Sequence, residues 1–163
     1  MSWATPIIAF LIKIESKGPI FFKQTRNGIK YKEFTCLKFR SMFENKTADT
    51  QQATKNDVRV TRIGRFLRKT SIDELPQFFN VLMGDMSVVG PRPHMIKENE
   101  KYAKSIKKFM VRHFVKPGIT GMAQVKGYRG EIETETDIIN RVKYDIYYLE
   151  TVSYTHLRAH ETS

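Results

Sequence analysis

The chain is 163 residues long, 40% hydrophobic and 28% charged, which suits one domain with a buried core and excludes a disordered chain. Its 28 lysines and arginines against 17 acids give a formal charge of +11, so an anionic partner is expected: a phosphorylated substrate, a membrane surface or nucleic acid. The single Cys36 excludes an internal disulfide and a cysteine-based zinc site, and fits a reducing, cytosol-facing compartment.

The opening stretch "MSWATPIIAFLIKIESKGP" lacks the basic leader of a signal peptide. Its apolar run, residues 6–12, is too short to cross about 30 Å of hydrocarbon as a helix. It reads either as a buried core element or as a helix that dips into one leaflet, with Pro6 breaking any longer helix. After Gly18-Pro19, "IFFKQTRNGIKYKEFTCLKFRSM" reads as a β-hairpin turning at Asn27-Gly28. "FENKTADTQQATKNDVRVT" is a polar loop of the kind that covers sites. Residues 62–69, "RIGRFLRK", form a short basic helix.

Next comes "TSIDELPQFFNVLMGDMSVVGPRP". Leu75, Phe78, Phe79 and Leu82 share one helical face by spacing. Ser71 and Glu74 have the spacing of a capping box, or Asp73 is itself the N-cap, which puts Pro76 in the first turn, where its missing N–H costs nothing; Gly84 ends the helix. Both Asp73 and Glu74 then sit at the positive end of the helix dipole. Residues 94–114 read as one long lysine-rich amphipathic helix, suited to an anionic membrane surface. "VKPGITGMAQVKGYRGE" is a glycine-rich connection, and a last helix spans about residues 134–150 with Ile138, Val142, Ile146 and Leu149 on its apolar stripe. "TVSYTHLRAHETS" has no periodicity; His156 and His160 are spaced like a zinc pair but lack a third ligand, so a frayed tail is expected.

Adjacent carboxylates on a helix point about 100° apart, which suits divided labour: one attacks an electrophile while the other holds a metal. Spacing alone also fits an ordinary acidic helix start. Lys38, Arg40, Arg62, Arg65, Arg68 and Arg92 lie close in sequence and could neutralise charge on transferred phosphoryl oxygens. Arg92 stands between Pro91 and Pro93, a stiff turn for bidentate phosphate contact, and Arg129 is a flexible-loop cation. There is no phosphate-binding loop, dinucleotide fingerprint, nucleophile elbow or nucleic-acid-binding signature.

The ordered segments "FFKQTRNG", "LKFRSM", "RIGRFLRKTSIDELPQFFNVLMGDMSVVGPRP", "VKPGITGMAQVKGYRGE" and "RVKYDIYYLE" resemble the bacterial sugar transferase family, the monotopic phosphoglycosyl transferases, across residues 6–150. The resemblance implies transfer of a phosphosugar from a UDP-sugar to polyprenyl (undecaprenyl) phosphate through a covalent aspartyl intermediate, with Mg2+ and release of UMP. It implies Asp73 as nucleophile, Glu74 as Mg2+ ligand and Asp145 as a metal-site or supporting acid. Arg68 would contact phosphate, Lys38 and Arg40 would belong to the surrounding basic shell, and Arg92 and Arg129 would bind the nucleotide-sugar. The location implied is the cytoplasmic face of the bacterial inner membrane; nucleic acid is not an expected partner, and a homodimer is left open. "GYRGE" and the basic helix are more similar to the glucose- or galactose-transferring branch.

The fold expected is mixed α/β and helix-dominated, with a short antiparallel β element, a re-entrant membrane helix and membrane-surface amphipathic helices. Residues 1–17 are the expected remnant of the re-entrant helix, its break at Thr5-Pro6; residues 18–150 form the catalytic domain and 151–163 an atypical tail. The competing reading is a non-catalytic basic module for a membrane or nucleic acid, which would tolerate Asp73→Asn.

Overall fold

The computed structural model describes residues 4–44, 54, 57–130 and 132–161, with side chains as far as Val152. Most of the polar loop and the side chains of His156 and His160 lie outside the described residues. The chain divides into two compact units, one of residues 1–24 and 35–80, the other of 25–34 and 81–163. The fold is helix-rich with a short antiparallel sheet, as expected, and adds a parallel pair of strands.

In the first unit, α1 (Ala4–Glu15) turns Ile8 and Ile12 inward against Phe39 and Leu67. Its opposite face leaves Ile7, Phe10, Leu11 and Ile14 exposed. At 12 residues it is about 18 Å long, and no described helix is long and apolar enough to cross a membrane. Its C-terminal carbonyls are closed by Arg40, whose guanidinium donates to Ser16 O at 2.8 Å and to Lys17 O at 2.6 Å. Glu15 in turn accepts from the backbone N–H groups of Arg62 and Ile63, at 2.6 and 2.7 Å. Thr61 caps the same helix, α2 (Arg62–Thr70), through Gly64 N, so three of its orphan donors are satisfied.

The hairpin β1 (Phe21–Asn27) and β2 (Glu33–Phe39) forms, but not on a two-residue Asn-Gly turn. Gly28 N bonds Lys32 O, and the loop between carries Lys30 and Tyr31 at positive φ. The second unit holds this tip: the Tyr31 ring packs at a tilt against His113 and its hydroxyl donates to Met110 O, while His113 Nδ1 meets Gly28 O at 3.3 Å. Those contacts compensate for left-handed backbone that ordinary residues avoid.

The expected Asp73-capped helix is also corrected. Residues Ile72–Glu74 make a separate 3₁₀ turn, and α3 (Gln77–Leu82) has only six residues. Both acids lie in that turn, ahead of α3, rather than in the first turn of a helix that begins at Asp73. The face is inverted too: Gln77 and Asn80 are buried while Phe78 and Phe79 are exposed and Leu82 is 81% exposed. Burial of the Asn80 amide is tolerated because it is bonded. The Asn80 amide accepts from Leu37 N at 3.0 Å and donates to Thr35 O at 2.8 Å, filling a neighbouring strand's place beside β2.

In the second unit, β3 (Ser87–Val89) pairs in parallel with β4 (Gly118–Thr120). Gly90 and Gly118 lie so close that a Cβ on Gly118 would strike the Gly90 backbone, and one on Gly90 would strike the carbonyl oxygen of Lys116. The single helix expected over 94–114 is broken: α4 (Ile96–Ser105) ends at extended Ile106, and a 3₁₀ turn, Phe109–Phe114, follows left-handed Lys108. The break lets Arg112 and His113 turn inward as well as Ile106 and Phe109. After the short α5 (Met122–Val125), α6 runs over Glu135–Glu161, past residue 150 and through most of the segment set apart as a tail. Ile138 and Val142 pack with Ile106 and Phe109, as their spacing predicts, with Ile146 only partly buried beside them.

Candidate active site

The first unit brings four of the sequence-derived residues together. The 3₁₀ turn places Asp73 and Glu74 side by side, 8% and 5% exposed. Lys38, near the end of β2, puts Nζ 3.0 Å from Glu74 Oε1. Arg68, in the last turn of α2, donates through Nε to Ser41 Oγ at 2.8 Å. Burial lowers its pKa, and the charges of Asp73, Asp57 and Glu74 oppose that loss, so its guanidinium stays charged. Gly64 makes this packing feasible: a Cβ there would lie 1.9 Å from Ser41 O.

Two buried carboxylates with a lysine and an arginine beside them bring together groups able to bind an anionic group and a carboxylate able to act as a nucleophile. Arg40, expected in the basic shell, instead commits both terminal nitrogens to the end of α1. Arg62 and Arg65 are exposed on α2. As to a metal, Mg2+ takes one or two carboxylates and completes its shell with phosphate oxygens and water. The adjacent pair Asp73–Glu74 fits that demand. Among the described residues there is no cluster of three acidic, histidine or cysteine side chains that would form a complete protein cage.

The second unit holds Arg92, Arg129 and Asp145. Arg129 is exposed in the turn after α5. Asp145, 2% exposed, faces Arg112, 3% exposed, at 3.0 Å between Oδ2 and Nη2, though out of line for a hydrogen bond. Burial raises the Asp145 pKa, and Arg112 and Arg141 oppose the rise. The best-aligned bond of Arg112 goes elsewhere, from Nη2 to Arg92 O at 2.6 Å. Arg141 reaches Gly130 O at 3.0 Å and His94 Nε2 at 3.3 Å. Burial, then the charges of Arg112, Arg141, Arg26 and Arg92, push the His94 pKa far down; its ring is a neutral acceptor toward Arg141.

A family model described as bacterial sugar transferase matches residues 1–157. The chain belongs to that family. Among curated relatives, a UDP-glucose:undecaprenyl-phosphate glucose-1-phosphate transferase of Klebsiella pneumoniae is 54% identical over 144 residues, covering 88% of this chain and 31% of that protein. One of the same name from Escherichia coli is 54% identical, covering 87% and 31%. A UDP-N-acetylgalactosamine-undecaprenyl-phosphate N-acetylgalactosaminephosphotransferase of Aeromonas hydrophila is 46% identical over 147 residues, covering 89% and 34%. The chain thus spans about a third of the length of these bacterial sugar transferases.

Several residues that organise this sugar transferase chain were missed in its sequence. Asn80 hides within an apolar helix, although its i, i+3 spacing from Gln77 marks a second, polar face. Arg141 lies four residues before Asp145, the acid the resemblance did implicate, on the stripe of Ile138 and Val142, a spacing that could have drawn attention to it. For His94, Arg112 and Arg26 no local signal separates them from the many surface cations.

Proposed function

We propose that this chain is the catalytic part of a phosphoglycosyl transferase, which moves a sugar 1-phosphate from a UDP-sugar to undecaprenyl phosphate. The observation that carries it is the buried Asp73–Glu74 pair with Lys38 and Arg68 against it. The names of the 54%-identical relatives support UDP-glucose as the donor to try first, and that of the Aeromonas hydrophila relative keeps an N-acetylhexosamine in the panel.

In this reading an Asp73 oxygen attacks the phosphorus bearing the sugar, and the bond from that phosphorus to the bridging oxygen breaks, so UMP leaves. A phosphate oxygen of the acceptor then attacks the aspartyl phosphosugar, restoring the Asp73 carboxylate and giving undecaprenyl-diphosphate sugar. Arg68 and Lys38 hold the phosphoryl oxygens and orient Glu74. Mg2+, when bound, would neutralise diphosphate charge, and Glu74 is the residue that would hold it. Asp145 was implied as a second acid of that kind; it is paired with Arg112 as Glu74 is with Lys38, so at either acid a metal would have to displace a cation.

The apolar residues exposed along α1, with Phe66, Phe78 and Phe79 of the same unit, support residence on a lipid surface, at the cytoplasmic face of the bacterial inner membrane where a polyprenyl acceptor lies. The deciding experiment is UMP release from UDP-glucose and UDP-N-acetylgalactosamine with undecaprenyl phosphate and Mg2+, for wild type and Asp73→Asn. Release by wild type with loss in the variant supports the reading. Equal release by both overturns the role of Asp73.

A further inference from the structure

Residues 57–61 fold against residues 41–43 within the first unit. Val60 N donates to Asp57 O at 3.1 Å, closing a turn, and Arg59 N donates to Asp57 Oδ1 at 2.9 Å. Phe43 N donates to Arg59 O at 2.9 Å and Thr61 N to Ser41 O at 3.1 Å, with Met42 and Val60 bridged between them. The same Ser41 accepts the Arg68 Nε–H on its hydroxyl. One short segment therefore seats both the turn and that arginine.

An aspartate suits the first position of such a turn. The turn asks nothing of the side chain at position 59, yet Arg59 folds back on Asp57. Its Nε lies 3.0 and 3.1 Å from the two carboxylate oxygens, and Nη2 lies 2.6 Å from Oδ2. Only 18% of the arginine side chain and 6% of the carboxylate are exposed, whereas Val58 between them is 91% exposed. The usual order, apolar in and charged out, is reversed. Holding a long arginine in this pose also costs rotamer freedom that an outward pose would keep.

The charges around Arg68 tell where the pair lies. Burial lowers the Arg68 pKa; Asp73, Asp57 and Glu74 oppose the fall, and Arg59 adds to it. Two guanidinium groups are thus held near each other against their repulsion, beside the two site acids. An anion bound to both would relieve that repulsion.

We propose that Arg59 is a second anion-binding arginine of the Asp73 site, set beside Arg68 to hold phosphoryl oxygens, and that Asp57 is its positioning residue. Asp57 takes the Nε and Nη2 side of the fork and so fixes the direction of the guanidinium. The identity of the anion rests on the transferase reading; the placing of the two arginines does not.

The probe is pyrophosphate with Mg2+, since Asp73 and Glu74 would repel the bare anion. Its binding to the whole chain is titrated calorimetrically for wild type, Arg59→Gln, Asp57→Asn and the double variant. Lys23→Gln, which removes an exposed lysine of β1, controls for overall charge. Arg59→Gln should weaken binding about tenfold, the scale of one charge-assisted contact. Lys23→Gln should weaken it by no more than about twofold, as a screened charge does. Asp57→Asn should weaken it about threefold, and the double variant should be no weaker than Arg59→Gln, because Asp57 acts only through that guanidinium.

A merely structural pair gives another pattern. The double variant would then bind like wild type, because the lone charge left by each single change is gone. That result, equal losses in Arg59→Gln and Lys23→Gln, or no pyrophosphate binding by wild type overturns the proposal. If Arg59→Gln does not fold, Arg59→Lys, which keeps the charge but not the fork, carries the same comparison with a smaller loss. UMP release from UDP-glucose and UDP-N-acetylgalactosamine is followed separately. Arg59-dependent pyrophosphate binding without UMP release would leave the anion site standing and remove the transferase reading.

Discussion

Lys38 Nζ lies 3.0 Å from Glu74 Oε1, with the lysine side chain 22% exposed and the carboxylate 6%. The pair joins the edge of β2 to the 3₁₀ turn that carries Asp73, so it fixes the direction of the Glu74 carboxylate. Removing the lysine leaves a carboxylate in a poorly solvated place without its cation. On the transferase reading proposed above, Lys38→Met should lower the rate of UMP release about 100-fold. The stability cost should be about 1–2 kcal/mol, below that of a fully buried pair because the lysine is partly wet. Kinetics beside urea unfolding check both numbers. A rate loss no larger than the fraction unfolded would remove Lys38 from the site.

Asn80 is fully buried, and its amide supplies one donor and one acceptor to β2. Asn80→Ala strands Leu37 N and Thr35 O without partners and opens a small cavity. The change should cost about 2–4 kcal/mol. Asn80→Asp keeps the shape and the acceptor but loses the donor, and should be destabilised comparably near neutral pH. Thermal unfolding of the two variants measures this; an unaffected Asn80→Asp would show that the contact to Thr35 O carries no weight.

How much of this was legible in the sequence follows from how local each determinant is. The α2 helix, the hairpin strands and the Ile138–Val142 stripe rest on spacing and caps within a few residues, and they stand in the structure. The failures share one cause, tertiary capture. Helix 94–114 is periodic throughout, yet it breaks at Ile106 so that Arg112 can reach Asp145 and the carbonyl of Arg92. The apolar face of α3 reads as core because nothing local says that Asn80 will be claimed by β2. In the same way the cluster of Asp73, Glu74, Lys38 and Arg68 was legible as residue types. Arg40 was of the same type, and only the fold reveals that it closes α1.

Gly64 is required by contact rather than by conformation. Its Cα sits against Ser41, with the carbonyl oxygen of Ser41 1.9 Å from where a Cβ would lie. Gly64→Ala must push α2 from Ser41, which also disturbs the bond from Arg68 Nε to Ser41 Oγ. A destabilisation of about 1–3 kcal/mol is expected despite alanine's better helix propensity. A gain in melting temperature would mean that α2 shifts freely and that the close approach is dispensable.

The exposed face of α1 carries Ile7, Phe10, Leu11 and Ile14 at helical spacing. If it rests on lipid, Phe10→Glu with Ile14→Glu should abolish co-sedimentation with vesicles of phosphatidylglycerol and phosphatidylethanolamine. The fold should survive, because Ile8 and Ile12 hold the inner face. Binding lost equally in high salt by the unaltered chain would instead assign attachment to the basic surface, since apolar insertion resists screening.

His113 gives the fold a calculable acid sensitivity. Burial, then the charge of Arg112, lowers its pKa from 6.5 to about 4, while the bond to Gly28 O works the other way. The groups facing it are Arg112, the Gly28 carbonyl and the Tyr31 ring. Between about pH 6.5 and 4 the unfolded chain holds a proton on this ring that the folded chain does not. Folding is therefore favoured above that window, and the contribution is lost as the pH falls through it. His94, lowered further by burial and four arginines, acts in the same direction. From pH 7 to pH 5 the His113 share is roughly 1–2 kcal/mol after allowing for partial solvation. Asp57, held well below the usual carboxylate range by Arg59, adds its own loss only at lower pH. Urea unfolding of wild type and His113→Gln at pH 7, 6 and 5 should show a shallower decline in the variant. Parallel lines would mean that the ring takes up its proton in the folded state, and that Arg112 and burial do not hold it neutral.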